Sequence, residues 1–152
     1  MKGHYITRGK FRGRRIDNDE WVYGYLFQMS LPNGIATMIL TEDNTVVDNS
    51  IEPNDLAFKL NIDLFLVDPN TVGQCTGAVD SMGTQIYEGD IMQYMDDDYF
   101  SDCGTVYWNE NFQRFMFNTG GRDFDLSDSD IRVTAHVVSN VFDNRPKISV
   151  NK

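Results

Sequence analysis

Glu88 and Asp90 are spaced for general acid and base work, because residues two apart in a strand project to one face and paired carboxyls can pass a proton. They stand in Gln85-Ile86-Tyr87-Glu88-Gly89-Asp90-Ile91-Met92, where Gly-Asp also has the composition of a turn whose carboxylate accepts backbone amides. The turn is the stronger reading. Tyr87, Glu88, Gly89 and Asp90 are therefore expected to form a structural corner that starts a strand, and no catalytic residue is assigned.

The remaining chemistry-bearing residues fall short of a site. Asp96, Asp97, Asp98 and Asp102 offer hard oxygen ligands for calcium or magnesium, but without the alternating positions, central glycine and closing glutamate of an EF-hand loop. A solvated acidic loop is expected, and no metal. Cys75 and Cys103 form no Cys-x-x-Cys unit and read as ordinary reduced thiols. His4 and His136 have no cysteine or carboxylate at ligand or triad spacing, so surface or interface roles are expected. No cofactor is implied, and an enzyme is the least supported class.

Charge separates the chain into a short basic end and an acidic body. Lys2, Arg8, Lys10, Arg12, Arg14 and Arg15 are six of the 13 basic residues. From Ile16 onward, seven basic side chains face 23 acidic ones, a balance of −16 within a net charge of −10. An acidic body repels phosphate over roughly 8–10 Å, which disfavours wrapping nucleic acid but leaves a local basic edge. Behind that edge, Trp21, Tyr23, Tyr25 and Phe27 alternate with Val22, Gly24, Leu26 and Gln28, the period of a strand with an aromatic face. Arg12, Arg14, Arg15, Trp21, Tyr23 and Tyr25 are thus the candidate interaction surface. The rings could stack nucleobases beside the arginines. Packing in a core or a subunit interface is the stronger expectation.

The elements that must position these residues are short strands. The 41 % hydrophobic and 12 % aromatic content of the 152 residues suits a compact fold. Asp17-Asn18-Asp19 makes a turn before the aromatic strand. Asn33-Gly34 signals a hairpin into Met38, Ile39 and Leu40, and Thr45-Val46-Val47 pairs back. One short helix is admissible near Pro53-Asn54-Asp55-Leu56, after which residues 60–67 read as extended. Asp68-Pro69-Asn70 turns the chain between two halves. Gly104-Thr105-Val106-Tyr107-Trp108 and Arg114-Phe115-Met116-Phe117 read as facing strands. Phe124 and Leu126 point inward between aspartates, and a last strand runs through Val133, Ala135, Val137 and Val141. The expected fold is all-β with antiparallel strands: a meander over residues 1–66 and an SH3-like barrel over 67–152, or both in one compact unit. No apolar run approaches the roughly 20 residues that span a bilayer, and Met1-Lys2-Gly3-His4-Tyr5 leads into no signal-peptide core, so a cytoplasmic protein is expected.

Three blocks in fixed order resemble the YopX family of phage and prophage proteins: Lys10-Phe11-Arg12-Gly13 with Trp21-Val22-Tyr23-Gly24, then Val67-Asp68-Pro69-Asn70-Thr71-Val72-Gly73-Gln74, then Ile86-Tyr87-Glu88-Gly89-Asp90-Ile91. The end, Val137-Val138-Ser139-Asn140-Val141-Phe142-Asp143-Asn144, is similar to the family's terminal strand, with Arg145 inserted before Pro146. Cys75 stands where the family usually has tyrosine, and the segment from Thr41 to Leu66 matches little. The resemblance implies a mainly β fold, a phage or prophage origin and self-association, and no activity. The expected function is a phage-encoded accessory protein, non-catalytic, homo-oligomeric, binding a host or phage protein. The alternatives are nucleic-acid contact through the basic N-terminal strand, or an acidic DNA mimic that occupies a basic host protein, tested by whether DNA displaces the captured partner.

Overall fold

Strand-forming alternation dominates the chain, and strands dominate the structure. The computed structural model describes residues 9–42, 62–95, 101–128, 131 and 134–143. These fall into two compact units, one within residues 10–72 and one of Gly9 with residues within 73–147. As expected, the architecture is all-β and antiparallel.

The N-terminal unit is a sheet of β1 (Phe11–Arg14), β2 (Trp21–Leu31), β3 (Gly34–Glu42) and β4 (Ile62–Leu66), paired in the order β4-β3-β2-β1. The β1–β2 turn closes as Asp17-Asn18-Asp19 predicts. Asp19 takes a positive φ of 67°, Glu20 N–H donates to Asn18 Oδ1 at 3.1 Å, and Arg15 N–H donates to Glu20 O at 2.8 Å. The β2–β3 hairpin is shifted from expectation. Leu31 faces Gly34, so Pro32 and Asn33 form the two-residue loop and Gly34, at φ 138°, begins β3. Pro32 has its φ preset for the first loop position, which explains why the loop centres one residue earlier. Gly24 is required by contact: a Cβ there would stand 2.0 Å from Leu40 O. After β4, Asp68 caps a 3₁₀ turn, Pro69–Thr71, by accepting from Asn70 N–H at 2.9 Å. Thr71 is buried beneath β1, where its Oγ1 accepts from Arg14 N–H at 2.9 Å. The expected helix near Pro53 and the strand at Thr45 to Val47 lie outside the described residues.

The C-terminal unit has a hairpin, β5 (Gly73–Val79) with β6 (Gln85–Tyr87), and a five-stranded sheet in the order β10-β9-β8-β7-β11. Its strands are β7 (Asp90–Met95), β8 (Ser101–Asn109), β9 (Arg114–Asn118), β10 (Asp123–Asp125) and β11 (His136–Asn140). The apolar members expected to face one another do so: Val106 pairs with Phe117 and Trp108 with Phe115. Ile86, Met92, Val106, Phe117, Leu126, Ile131 and Ala135 make the core. Among the described residues the sheet does not close into the barrel expected of this half. Its edges are β10 and β11, because the last strand returns beside β7 rather than beside β10. That strand also starts later than its apolar alternation suggests. Ala135 N–H donates to Ile131 O at 2.9 Å in a helical turn, and β11 follows, with a bulge between Val137 and Ser139.

Candidate interaction surface

The Glu88 and Asp90 pair resolves into a corner built of backbone hydrogen bonds. β6 ends at Tyr87 and β7 starts at Asp90, leaving Glu88 and Gly89 as the turn. Asp90 is 1 % exposed and its Oδ2 accepts from Tyr87 N–H at 2.7 Å. Glu88 N–H donates to Gln74 O, Gly89 N–H to Val106 O, and Val141 N–H to Gly89 O, each at 2.9 Å. Gly89 has φ 85°, and a Cβ would lie 2.8 Å from the Phe142 ring, so only glycine fits both the backbone and the space. The motif ties β5, β8 and the end of β11 together.

A second buried carboxylate works alike. Asp80 accepts from Met82, Thr84 and Val137 N–H at 2.8–2.9 Å, fixing the β5–β6 turn and docking it to β11. Burial alone would raise its pKa. The three amides, with His136 adding a smaller attraction, outweigh burial and hold it below the usual carboxylate value.

The basic cluster is committed locally. Arg12 is 5 % exposed and lies with its guanidinium 5.0 Å from the Trp21 ring centre, a cation–π contact. Arg14 pairs with Asp19 at 2.7 Å. Arg15 grips Asp17 through Nε at 2.8 Å and lies 4.1 Å over the Phe65 ring; its hydrogen bond pulls the exposed Asp17 carboxyl below its ordinary value. The turn aspartates that follow β1 therefore pair with Arg14 and Arg15, two of the charges that suggested a phosphate-binding edge.

The aromatic row meets a different fate. Cross-strand register puts Tyr25, Leu40 and Leu64 on one face of the sheet, with Phe27, Met38 and Leu66 beside them. On that face Tyr23, Tyr25, Phe27, Met29, Leu64 and Leu66 are exposed, Phe27 by 50 %. Ile35, on the opposite face of the same hairpin, is 69 % exposed. Large contiguous apolar faces of this kind mark contact surfaces. The sequence carries a further signal that alternation does not reveal: residues 21–40 contain no charged side chain, in a chain that is 24 % charged.

The C-terminal unit has a cleft of about 700 Å³ between β5 and the β8–β9 hairpin. Trp108 and Phe115 meet edge-on within it, ring centres 4.9 Å apart, beside the ion pair of Arg114 and Asp125. Hydrogen bonds from Ser127 and the Arg114 pairing depress the Asp125 pKa. Neither Glu88 nor Asp90 lines this cleft. Cys75 is buried and Cys103 exposed. Among the described residues no group of three His, Cys, Asp or Glu is placed to hold a metal ion. His4 and the loop bearing Asp96 to Asp98 lie outside those residues.

A family model described as YopX protein matches residues 10–148. Among solved structures the chain is similar to protein EF1440 from Enterococcus faecalis, at 17 % identity over 87 % of this chain and 92 % of that one, with a TM-score of 0.48. No curated protein matches.

Proposed function

The chain belongs to the YopX family, and on that premise we propose that it is a phage- or prophage-encoded accessory protein of the host cytoplasm, acting as a non-catalytic, self-associating protein-interaction module. The observation that carries this reading is the uncharged apolar face of β2 and β4, which leaves Tyr25, Phe27, Met29, Leu64 and Leu66 in water. Exposed apolar area of this extent is costly to a lone chain and is recovered when a partner covers it, at roughly 25 cal/mol per Å² removed from water. Among the described residues no helix is long and apolar enough to cross a membrane.

The nucleic-acid alternative loses its support from the arginines, since Arg14 and Arg15 are paired with Asp19 and Asp17 and Arg12 is buried. The test is light scattering on the full chain at tens of micromolar, with Phe27→Glu as the control. An oligomer that Phe27→Glu converts to a monomer supports the reading. A monomeric wild type removes self-association, and an oligomer indifferent to Phe27→Glu removes this face as the contact.

A further inference from the structure

The partner that fits this surface follows from the edge of β2. β1 covers β2 only from Trp21 to Gly24, while β3 pairs with β2 from Tyr25 to Leu31. Along residues 25–31, the side of β2 away from β3 therefore has no strand on it among the described residues. A two-residue loop requires Leu31 and Gly34 to exchange both hydrogen bonds, so the alternation turns the amides of Tyr25, Phe27 and Met29 toward β3. The amides and carbonyls of Leu26, Gln28 and Ser30 then face the open side.

Proteins usually blunt such an edge with lysine, proline, a bulge or an inward charge. Tyr25-Leu26-Phe27-Gln28-Met29-Ser30-Leu31 contains none of these, and its ladder with β3 runs without a register shift. We infer that residues 25–31 form an antiparallel, two-fold symmetric pairing with the same residues of a second copy, joining the two N-terminal sheets edge to edge. This rests on the self-associating reading above and adds to its apolar face a second contact, along the strand edge.

Three features favour a second copy over another occupant. A two-fold pairing places Gln28 opposite itself, Phe27 opposite Met29 and Tyr25 opposite Leu31, so each apolar side chain meets an apolar one on the shared face. Centring on Gln28 engages all seven residues; moving the centre by one residue toward β1 loses pairs to the strand already there. Finally, two chains of charge −10 approach most cheaply where neither carries charge, and residues 21–40 are that place. A basic partner would instead be drawn to the acidic regions.

The test uses the full chain and Ser30→Pro, since proline is tolerated on an edge where the amide points outward yet removes a donor from any added ladder. Sedimentation equilibrium follows association, circular dichroism follows folding, and hydrogen exchange on the wild type reads the amides of Leu26, Gln28 and Ser30. The expected result is an even-numbered wild-type oligomer, protection of these three amides that is lost on dilution, and a folded Ser30→Pro chain whose dissociation constant rises about tenfold or more. A folded Ser30→Pro oligomer of wild-type affinity overturns the pairing. So does rapid exchange of the three amides in the wild-type oligomer, which decides the matter should Ser30→Pro fail to fold. In either case Phe27→Glu still tests the face. A monomeric wild type overturns both the pairing and the self-association on which it rests.

Discussion

The corner at residues 87–90 and the hairpin of β2 and β3 are both made of short strand, turn and strand, yet they direct their side chains to opposite ends. In the corner, polar groups are turned inward and satisfied: Asp90 holds Tyr87 N–H, and three further backbone bonds tie the turn to its neighbours. In the hairpin, apolar groups are turned outward, with Phe27, Met29, Leu31 and Ile35 in water. A buried polar group and an exposed apolar one both cost free energy unless something compensates. The corner's compensation lies inside the same chain. On the proposed reading a partner supplies the hairpin's, so the family marker and the proposed contact surface are different parts of the molecule.

Substitutions sharpen that contrast when ranked by their effect on stability. Gly89→Ala should cost most, about 2–4 kcal/mol, since it meets both a positive φ and the Phe142 ring; urea denaturation of the variant measures it. Asp90→Ala should follow at about 1–3 kcal/mol, because Tyr87 N–H is left buried without its acceptor, again read by a shift in the urea midpoint.

Acid should reach the Asp80 clamp next. Its folded pKa lies below the unfolded value of roughly 3.9, so the contribution is complete above that value and is lost as pH falls through the folded pKa. Stability against pH should therefore decline in the acid range, and Asp80→Asn should flatten that part of the curve. A variant with the wild-type acid slope would show that the amides do not favour the ionised form. Smallest of all is Phe27→Ser, within about 0.5 kcal/mol by thermal melting of the monomer, while light scattering records weaker assembly. A large loss of monomer stability there would break the contrast, placing Phe27 in the fold's own account.

Local chemistry made the corner and the β1–β2 turn legible, because glycine and aspartate act on backbone within a few residues of themselves. The aromatic alternation likewise marked β2 correctly as a strand. Which face it buries was not legible, since alternation gives two faces without saying which has a neighbour. Arg12 was read among surface charges, but it folds against Trp21, a contact set by the register of β1 on β2 rather than by any spacing in the chain. Among the described residues barrel closure fails for a similar reason. It depends on where β11 lands, and β11 pairs with β7, more than 40 residues earlier. The hairpin loop moved by one residue because Pro32 competed with the Asn33-Gly34 signal. The absence of charge over residues 21–40 was visible all along, but it is a gap, and motif reading looks for residues that are present.

The hydrogen bonds at Gly89 also make it a timekeeper. Its amide is held by Val106 and its carbonyl by Val141, partners that both lie well after it in the chain. Freeing that amide to exchange with solvent requires β8 to leave, while the carbonyl bond requires the chain after β11 to leave as well. A site locked from both sides opens with the unit as a whole. The rate at which Gly89 takes up deuterium should therefore follow opening of the unit, a reference against which exchange of the hairpin edge can be dated in monomer and oligomer.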